Sequence, residues 1–542
     1  MPPAGVQGSG WFRVHVDLAI VYCVSMKDFL QTHQAKIKGV LSCFDRVLFR
    51  GYLPIQDGFA MAQFLNQNDI RFRNLKSFLT ENAKDVKEHA RHMAAQTGRP
   101  FEYLKSKIKM ERQAREMADR DNIEQGLVCI FTILEPCRSY SFRFEKGRPF
   151  VNGARRKCLS IYYYFMDLDF GLIHVKVQTW FPMATQIYVN GQEWLARKLS
   201  ENGIAYTKLD NVFIHVKELE RAQAFSDRFT SLDWPTFLSR YAHRVNPLMS
   251  GILHGQSYYW VTTQSEYATD VLFKNRTALK ALCPRLLSHS TLCFGAKDVI
   301  SFLGKKLHGK FEGEIVTDLL DFAHKRLPGT RVKHRVKQNW LKMYDKAGMV
   351  LRIETVINNP EDFRVRRKVM RRGLPKTEWV QMRKGVSNLF RYRDVSMSAN
   401  ARYLDSLSVV EDPTSKVREL DRITTRKRPT SKRSAKAFNP LSREDVQLFR
   451  AVMDGEHNIR GFTNRNIREK IAATLHFRGI RQDTKRQSAK VTRLLYRFHV
   501  FGLIAKIPRS RRWRTTRLGR RVMATAIQLR ELNFPQLLAL AA

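Results

Sequence analysis

Residues 157–216 constrain the fold more than any other part of the chain. Two runs of apolar, β-branched and aromatic residues, Cys158–Met166 and Leu172–Trp180, flank the segment Asp167-Leu-Asp-Phe-Gly171. Strand formers on both sides of an Asp- and Gly-rich turn predict a β-hairpin. Ala184–Val189 predicts a third strand, punctuated by Asn190-Gly191. Trp194, Leu195 and Leu199 then recur at helical spacing across residues 192–199. Val212–Val216 predicts another strand, and residues 217–229 another helix. The expected class is therefore α+β, with a mixed or antiparallel sheet flanked by helices.

Asp167 and Asp169 fall in the hairpin turn. Two carboxylates two residues apart on a strand share a face, and hard divalent cations take carboxylate oxygens. They are therefore candidate catalytic and metal-ligating residues for Mg²⁺ or Mn²⁺. The simpler reading is that tight turns favour Asp and Gly.

Length and charge frame the rest. A chain of 542 residues exceeds a single core. The expected divisions are an N-terminal extension over 1–35, an α+β core over 36–254, and a second α+β region with basic helices over 255–410. A basic linker over 411–440 and a C-terminal module over 441–542 complete the order. Lys and Arg number 95 against 50 acidic residues, a formal charge of +45. Such an excess predicts a polyanionic partner, because phosphate neutralisation releases counterions. No long apolar span or basic amphipathic anchor favours a membrane. The seven cysteines are scattered without a CxxC pair, which argues against zinc and for buried thiols in a reducing cytoplasm.

Elsewhere the pattern predicts a short strand ending at Pro54, amphipathic helices over 75–97 and 103–120, and paired strands over 126–135 and 140–144. Glu135 ends the first of these. Residues 258–264 suit a strand, with a helix starting at Ser265. Residues 364–393 interleave many cations with Trp379, Phe390 and Tyr392, which suits a phosphate backbone and exposed bases.

Residues 329–359 predict strands over 330–336, 340–345 and 350–355, with Arg352 and Glu354 sharing a face of the last. The Tyr344-Asp-Lys turn followed by the Arg-x-Glu strand resembles rolling-circle replication initiators of plasmids and phages. The resemblance implies a metal-bound carboxylate at Glu354 and a nucleophile at Tyr344. Without it, the pattern describes a surface hairpin with an Arg–Glu cross-strand pair.

The C-terminal module is the most legible. Ser442 caps a helix with Glu444 and Asp445 in its first turn. Residues 463–469 open a second helix and 483–501 form a third, with Val491, Leu494, Leu495 and Phe498 inward. Its other face presents Lys485, Arg486, Lys490, Arg493 and Arg497. A strand over 502–507, a basic turn and a return strand from Trp513 follow, then a last helix. The segment HVFGLIAKIPRSRRWRTTRLGRRV carries a resemblance to the winged helix-turn-helix domains of MarR-type regulators. That resemblance implies that helix 483–501 enters a DNA groove, while Arg509, Arg511, Arg512, Trp513 and Arg514 form a wing against the backbone.

The segments YFMDLDFG, WFP, NGQEWLA, GTRVKH and LRIETVIN also resemble a widespread, multi-copy type of bacterial protein, a likeness that carries no activity with it. The expectation is a cytoplasmic, nucleoid-associated DNA-binding protein of a mobile element or replicon, with DNA ahead of RNA and oligomerisation left open. Metal-assisted phosphodiester cleavage is the expected enzymatic version. A regulator with a purely structural core is the other.

Overall fold

A computed structural model describes residues 26–107, 110–145, 148–305, 315–321, 329–410, 420–430, 433–477, 479–480 and 482–533. Packing divides the chain into two interleaved units. One comprises Gly39–Asp270 and Glu354–Ser396; the other comprises Met1–Lys38, Val271–Ile353 and Met397–Ala542. The division therefore does not fall at the 254/255 boundary read from the sequence. The class is α+β.

The first unit is built on a long sheet. Its strands run in the order 350–357, 259–273, 37–52, 185–190, 171–178, 148–167, 126–145 and 101–103. The 101–103 strand pairs parallel to its neighbour, and the 126–190 strands pair antiparallel. The predicted hairpin is present: Asp167 pairs with Gly171, whose φ of +64° the turn requires.

Each face has its own cover. On one, the turn Phe229–Ser231 and the helix Trp234–Val245 lay aromatic rings against the strands. Phe44 meets Phe229 at 5.1 Å, Phe49 meets Trp234 at 4.8 Å and Phe165 meets Tyr241 at 5.4 Å. On the other, the helix Met110–Arg120 covers Phe131, Tyr162 and Tyr164. Large rings dominate because each removes a large apolar area from water.

Several elements differ from the sequence expectation. The strand ending near Pro54 is sixteen residues long, Ile37–Tyr52. The two strands expected over 126–144 are one, Gly126–Glu145, and they pair with Arg148–Asp167 instead of each other. The helix expected from Ser265 is the second half of one strand, Tyr259–Phe273. Its second half is buried apart from Glu266. A central strand covered on both faces loses its period-two alternation, so its pattern cannot be told from a buried helix. Residues 364–381, part of the region expected to carry basic helices, form a hairpin of Arg364–Arg371 and Leu374–Gln381. Here β-branched and aromatic residues override the charge pattern.

In the second unit, the strands 315–321, 330–336 and 339–346 lie side by side and pair antiparallel. Phe294, Phe302 and His334 pack around Tyr403, and His334 Nε2 lies 3.0 Å from the Tyr403 hydroxyl. The C-terminal part runs helix 443–453, short helix 457–460, helix 464–470, helix 484–500, hairpin 504–506/513–515 and helix 517–528. Phe462 and Trp513 exchange both backbone hydrogen bonds, adding a third short edge to that hairpin. Leu420, Ile423, Ala435 and Phe438 belong to the same core. The described part of the expected linker is thus packed, because its few apolar residues are spaced to reach that core.

Candidate functional site

Three neighbouring strands of the first unit each bring one carboxylate to a common point. Asp45 lies on strand 37–52, Glu266 on strand 259–273 and Glu354 on strand 350–357. Their ligand oxygens all lie within 4.8 Å of one another. Among the described residues this is the one group of three or more metal-capable side chains. Asp45 is 6% exposed and Glu354 1%, while Glu266 is half-buried and opens the group toward the surface.

Neighbouring polar groups orient two of the three. Asn211 Nδ2 donates to Asp45 Oδ2 at 2.8 Å, from a turn whose Asp210 takes φ +54°. Gln264, two residues before Glu266 and on the same strand face, donates to Glu266 Oε1 at 2.8 Å. Arg46 lies beside the group. Burial disfavours its charge, yet Tyr188, Glu266, Glu111 and Asp45 together hold the guanidinium well above its usual range. Carboxylates this close repel one another when ionised, so the group favours positive charge nearby. An all-oxygen donor set of this kind suits a hard divalent cation such as Mg²⁺ or Mn²⁺, with Asn211 and Gln264 fixing the ligands from outside.

Of the sequence candidates for a metal, only Glu354 belongs to this group. Asp167 lies on strand 148–167, three strands from Asp45 and five from Glu354 in the sheet order. Its Oδ1 accepts the backbone N–H groups of Asp169 and Phe170 at 2.9 and 3.0 Å, and its Oδ2 accepts the Tyr241 hydroxyl at 2.6 Å. Asp169 points outward to Lys198 Nζ at 2.7 Å. The two are turn residues with separate partners, and they do not converge. Glu135 is likewise committed, to Lys107 and Lys176. Burial would raise its pKa, but the lysines pull it down to about 2. Tyr344 is half-buried on strand 339–346 of the other unit, opposite Arg331 and beside Lys346.

Asp45 and Glu266 escaped the sequence reading. The available signal was a carboxylate inside a largely apolar strand, Asp45 in Phe44-Asp-Arg-Val-Leu48 and Glu266 between Ser265 and Tyr267. A charge in such a place is either paired or functional.

The second candidate surface is cationic. Lys485, Arg486 and Arg493 are exposed on helix 484–500, and Lys490 is half-buried beside them. Arg509, Arg511 and Arg514 are exposed on the hairpin. Three expected members are turned to structural tasks. Arg497 is half-buried: it grips Asp445 through two hydrogen bonds of 2.9 and 3.1 Å and stacks 3.7 Å from Phe438. Arg512 donates to the Gly461 carbonyl at 3.3 Å. Trp513 packs 5.4 Å from His499. All but one of the buried thiols expected from the sequence are present among the described cysteines, Cys293 being exposed. No described helix is long and apolar enough to cross a membrane.

No family model matches this chain, and neither a curated protein sequence nor a solved structure does.

Proposed function

We propose that this chain binds nucleic acid, DNA ahead of RNA, and that its first unit carries a divalent-metal centre for phosphodiester cleavage. The exposed cation surface of helix 484–500 and hairpin 504–515 carries the binding part. Six of its side chains, Lys485, Arg486, Arg493, Arg509, Arg511 and Arg514, lie exposed on one helix and one hairpin of the same small core. The helix order followed by a hairpin with a basic tip is that of a winged helix. In that reading the exposed helix face enters a groove and the hairpin tip lies along phosphates.

The enzymatic part rests on the carboxylate triad. Asp45, Glu266 and Glu354 would hold the cation, which when bound supplies charge stabilisation to a phosphodiester oxygen. Glu266, the least buried of the three, is the ligand nearest an approaching substrate. The deep burial of Asp45 and Glu354 favours a second reading, in which a cation only ties the three strands together.

The test is direct. Full-length protein is incubated with labelled single- and double-stranded DNA, with Mg²⁺ or Mn²⁺ and then with EDTA. Binding that R511A/R514A weakens in every sequence, with a log K against log salt slope flatter by about 1.8, supports the interface. Cleavage that E354Q and EDTA abolish, with binding kept, supports the enzyme. Metal-dependent stability without cleavage selects the structural cation.

A further inference from the structure

The hairpin Arg364–Arg371/Leu374–Gln381 contributes little to any core. From Arg366 to Trp379 most positions on both strands are exposed. A two-stranded ribbon with no covered face is marginal in water, so its form is not explained by burial. Its turn is well made: Arg372 and Gly373 take φ of +51° and +79°, the pair of positive values that matches strand twist in a tight hairpin. Its base is anchored. Val365 is buried, Met382 N–H donates to the Phe363 carbonyl at 2.9 Å, and Arg391 Nε donates to the Arg364 carbonyl at 2.8 Å.

The ribbon carries seven cations against one carboxylate between residues 364 and 381, and its two faces differ. Pairing of Arg366 with Trp379 and Lys368 with Thr377 puts Arg364, Arg366 and Lys368 on one face with no carboxylate among them. The indole of Trp379 is 52% exposed on that face, with Arg391 stacked 5.2 Å away. On the opposite face Glu378 pairs with Arg371 at 2.7 Å, so part of its charge is already neutralised. At the tip, Met370 and Leu374 are 67% and 72% exposed. Apolar side chains at the end of a cationic arm find no partner in water.

We infer that this ribbon is a DNA-binding arm that seats its Arg364–Arg366–Lys368 face in the major groove of a B-form duplex, with Met370, on the same face near the tip, against the base edges. The inference rests on the proposal that the chain binds nucleic acid, and names a second contact in a different unit. Charge selects a polyanion; shape selects the duplex. Two strands about 4.8 Å apart with their side chains span roughly the 12 Å width of the B-DNA major groove. The six residues from Arg366 to Arg371 reach about 20 Å, more than the groove depth of about 8.5 Å. The major groove of A-form RNA is too narrow and deep for such a ribbon.

Fluorescence anisotropy of the full chain, with a DNA duplex and an RNA duplex of one sequence across a salt series, tests this. R366A/K368A and R367A/K376A remove the same formal charge from opposite faces of exposed strands. The first is expected to lose about ten- to thirty-fold in DNA affinity near physiological salt, with the slope flatter by about 1.8; the second loses far less. Equal losses on the two faces overturn the seating. Unchanged binding by R366A/K368A and by the charge-reversed R366E overturns the arm. RNA duplex bound as tightly as DNA overturns the groove. If R511A/R514A weakens binding while R366A/K368A does not, the nucleic-acid reading stands and the arm falls. If wild type binds neither duplex, both fall.

Discussion

The carboxylates of the sheet and the cations of the C-terminal module are assembled in opposite ways. In the sheet, Asp45, Glu266 and Glu354 converge from three strands far apart in sequence, while Asp167 and Asp169, two residues apart, go separate ways. In the module, the exposed cations come from one helix and one hairpin within about thirty residues. A helix repeats its face every three to four residues, so a local sequence specifies a local surface. A sheet brings together whatever its strand order makes adjacent, and strand order is not written in any window of sequence. Local proximity misleads in both regions, however. Arg493 and Arg497 are one turn apart, yet one is exposed and the other is bound to Asp445.

That last contrast gives the largest expected effect. Arg497→Ala leaves the buried Asp445 carboxylate without its bidentate partner and removes the stack on Phe438. Breaking a pair so placed costs about 3–5 kcal/mol, so thermal or urea unfolding of the C-terminal core should shift strongly. Arg493→Ala, one turn earlier, should leave stability within about 0.5 kcal/mol and lower DNA affinity. Equal stability losses would mean that the two arginines do not differ as the contacts require.

The turn at Asp167 comes next. Asp167→Ala strips two backbone N–H groups of their acceptor and leaves the buried Tyr241 hydroxyl without one. Unmet buried donors cost about 1–3 kcal/mol each; with partial exposure of the turn, a total of about 2–4 kcal/mol is expected by chemical denaturation. Asp167→Asn keeps one acceptor oxygen and should recover part of it. A loss below about 1 kcal/mol for the alanine variant would remove the structural role assigned here.

The triad and the turn then separate by metal response. A cation that binds only the folded chain raises stability by RT ln(1 + [L]/Kd), about 2.7 kcal/mol at a hundredfold excess over Kd. Wild type and the D167N/D169N variant should both gain this with Mg²⁺ or Mn²⁺ in a melting series; E266Q/E354Q should not. Without metal, the stability of E266Q/E354Q against wild type sets the baseline of the comparison, since the substitution also takes the Glu266 charge from Arg46. A metal response kept by E266Q/E354Q and lost by D167N/D169N would reverse the assignment.

How much of this was legible follows from the same geometry. The Cys158–Met166 and Leu172–Gln178 strands, the helix at Gly191–Glu201 and the helices and hairpin after Ser442 were readable, because turn residues and amphipathic spacing mark them locally. Glu354 was singled out by the resemblance of its Arg-x-Glu strand to rolling-circle initiators, not by its burial. Glu266 was lost when the strand Tyr259–Phe273 was taken for strand and then helix: its burial on both faces erased the alternation that identifies strands. Asp45 was lost because a short window gives no sign that strand 37–52 lies in the middle of the sheet. The ribbon 364–381 was hidden by charge, which conceals strand propensity when every position faces water. Arg497 was misplaced because its partner Asp445 lies on another helix.

The smallest effect is expected at Asp169, and it sharpens the comparison most finely. Asp169 shares the hairpin turn with Asp167, and sequence alone treats the two alike. Its side chain is 54% exposed, and its partner is Lys198, which also bonds Glu201 at 3.0 Å. Those two carboxylates raise the Lys198 pKa against a burial that would lower it. Removing Asp169 leaves Lys198 with Glu201, so no charge is stranded. An exposed ion pair contributes about 0.2–1 kcal/mol and is screened by salt. Asp169→Ala should therefore cost no more than about 0.5 kcal/mol, less in high salt, and leave the backbone N–H of residue 169 still bonded to Asp167. Side by side in one denaturation series, Asp167→Ala and Asp169→Ala should differ several-fold. A loss at Asp169 as large as at Asp167, and insensitive to salt, would mean that the two aspartates act together after all.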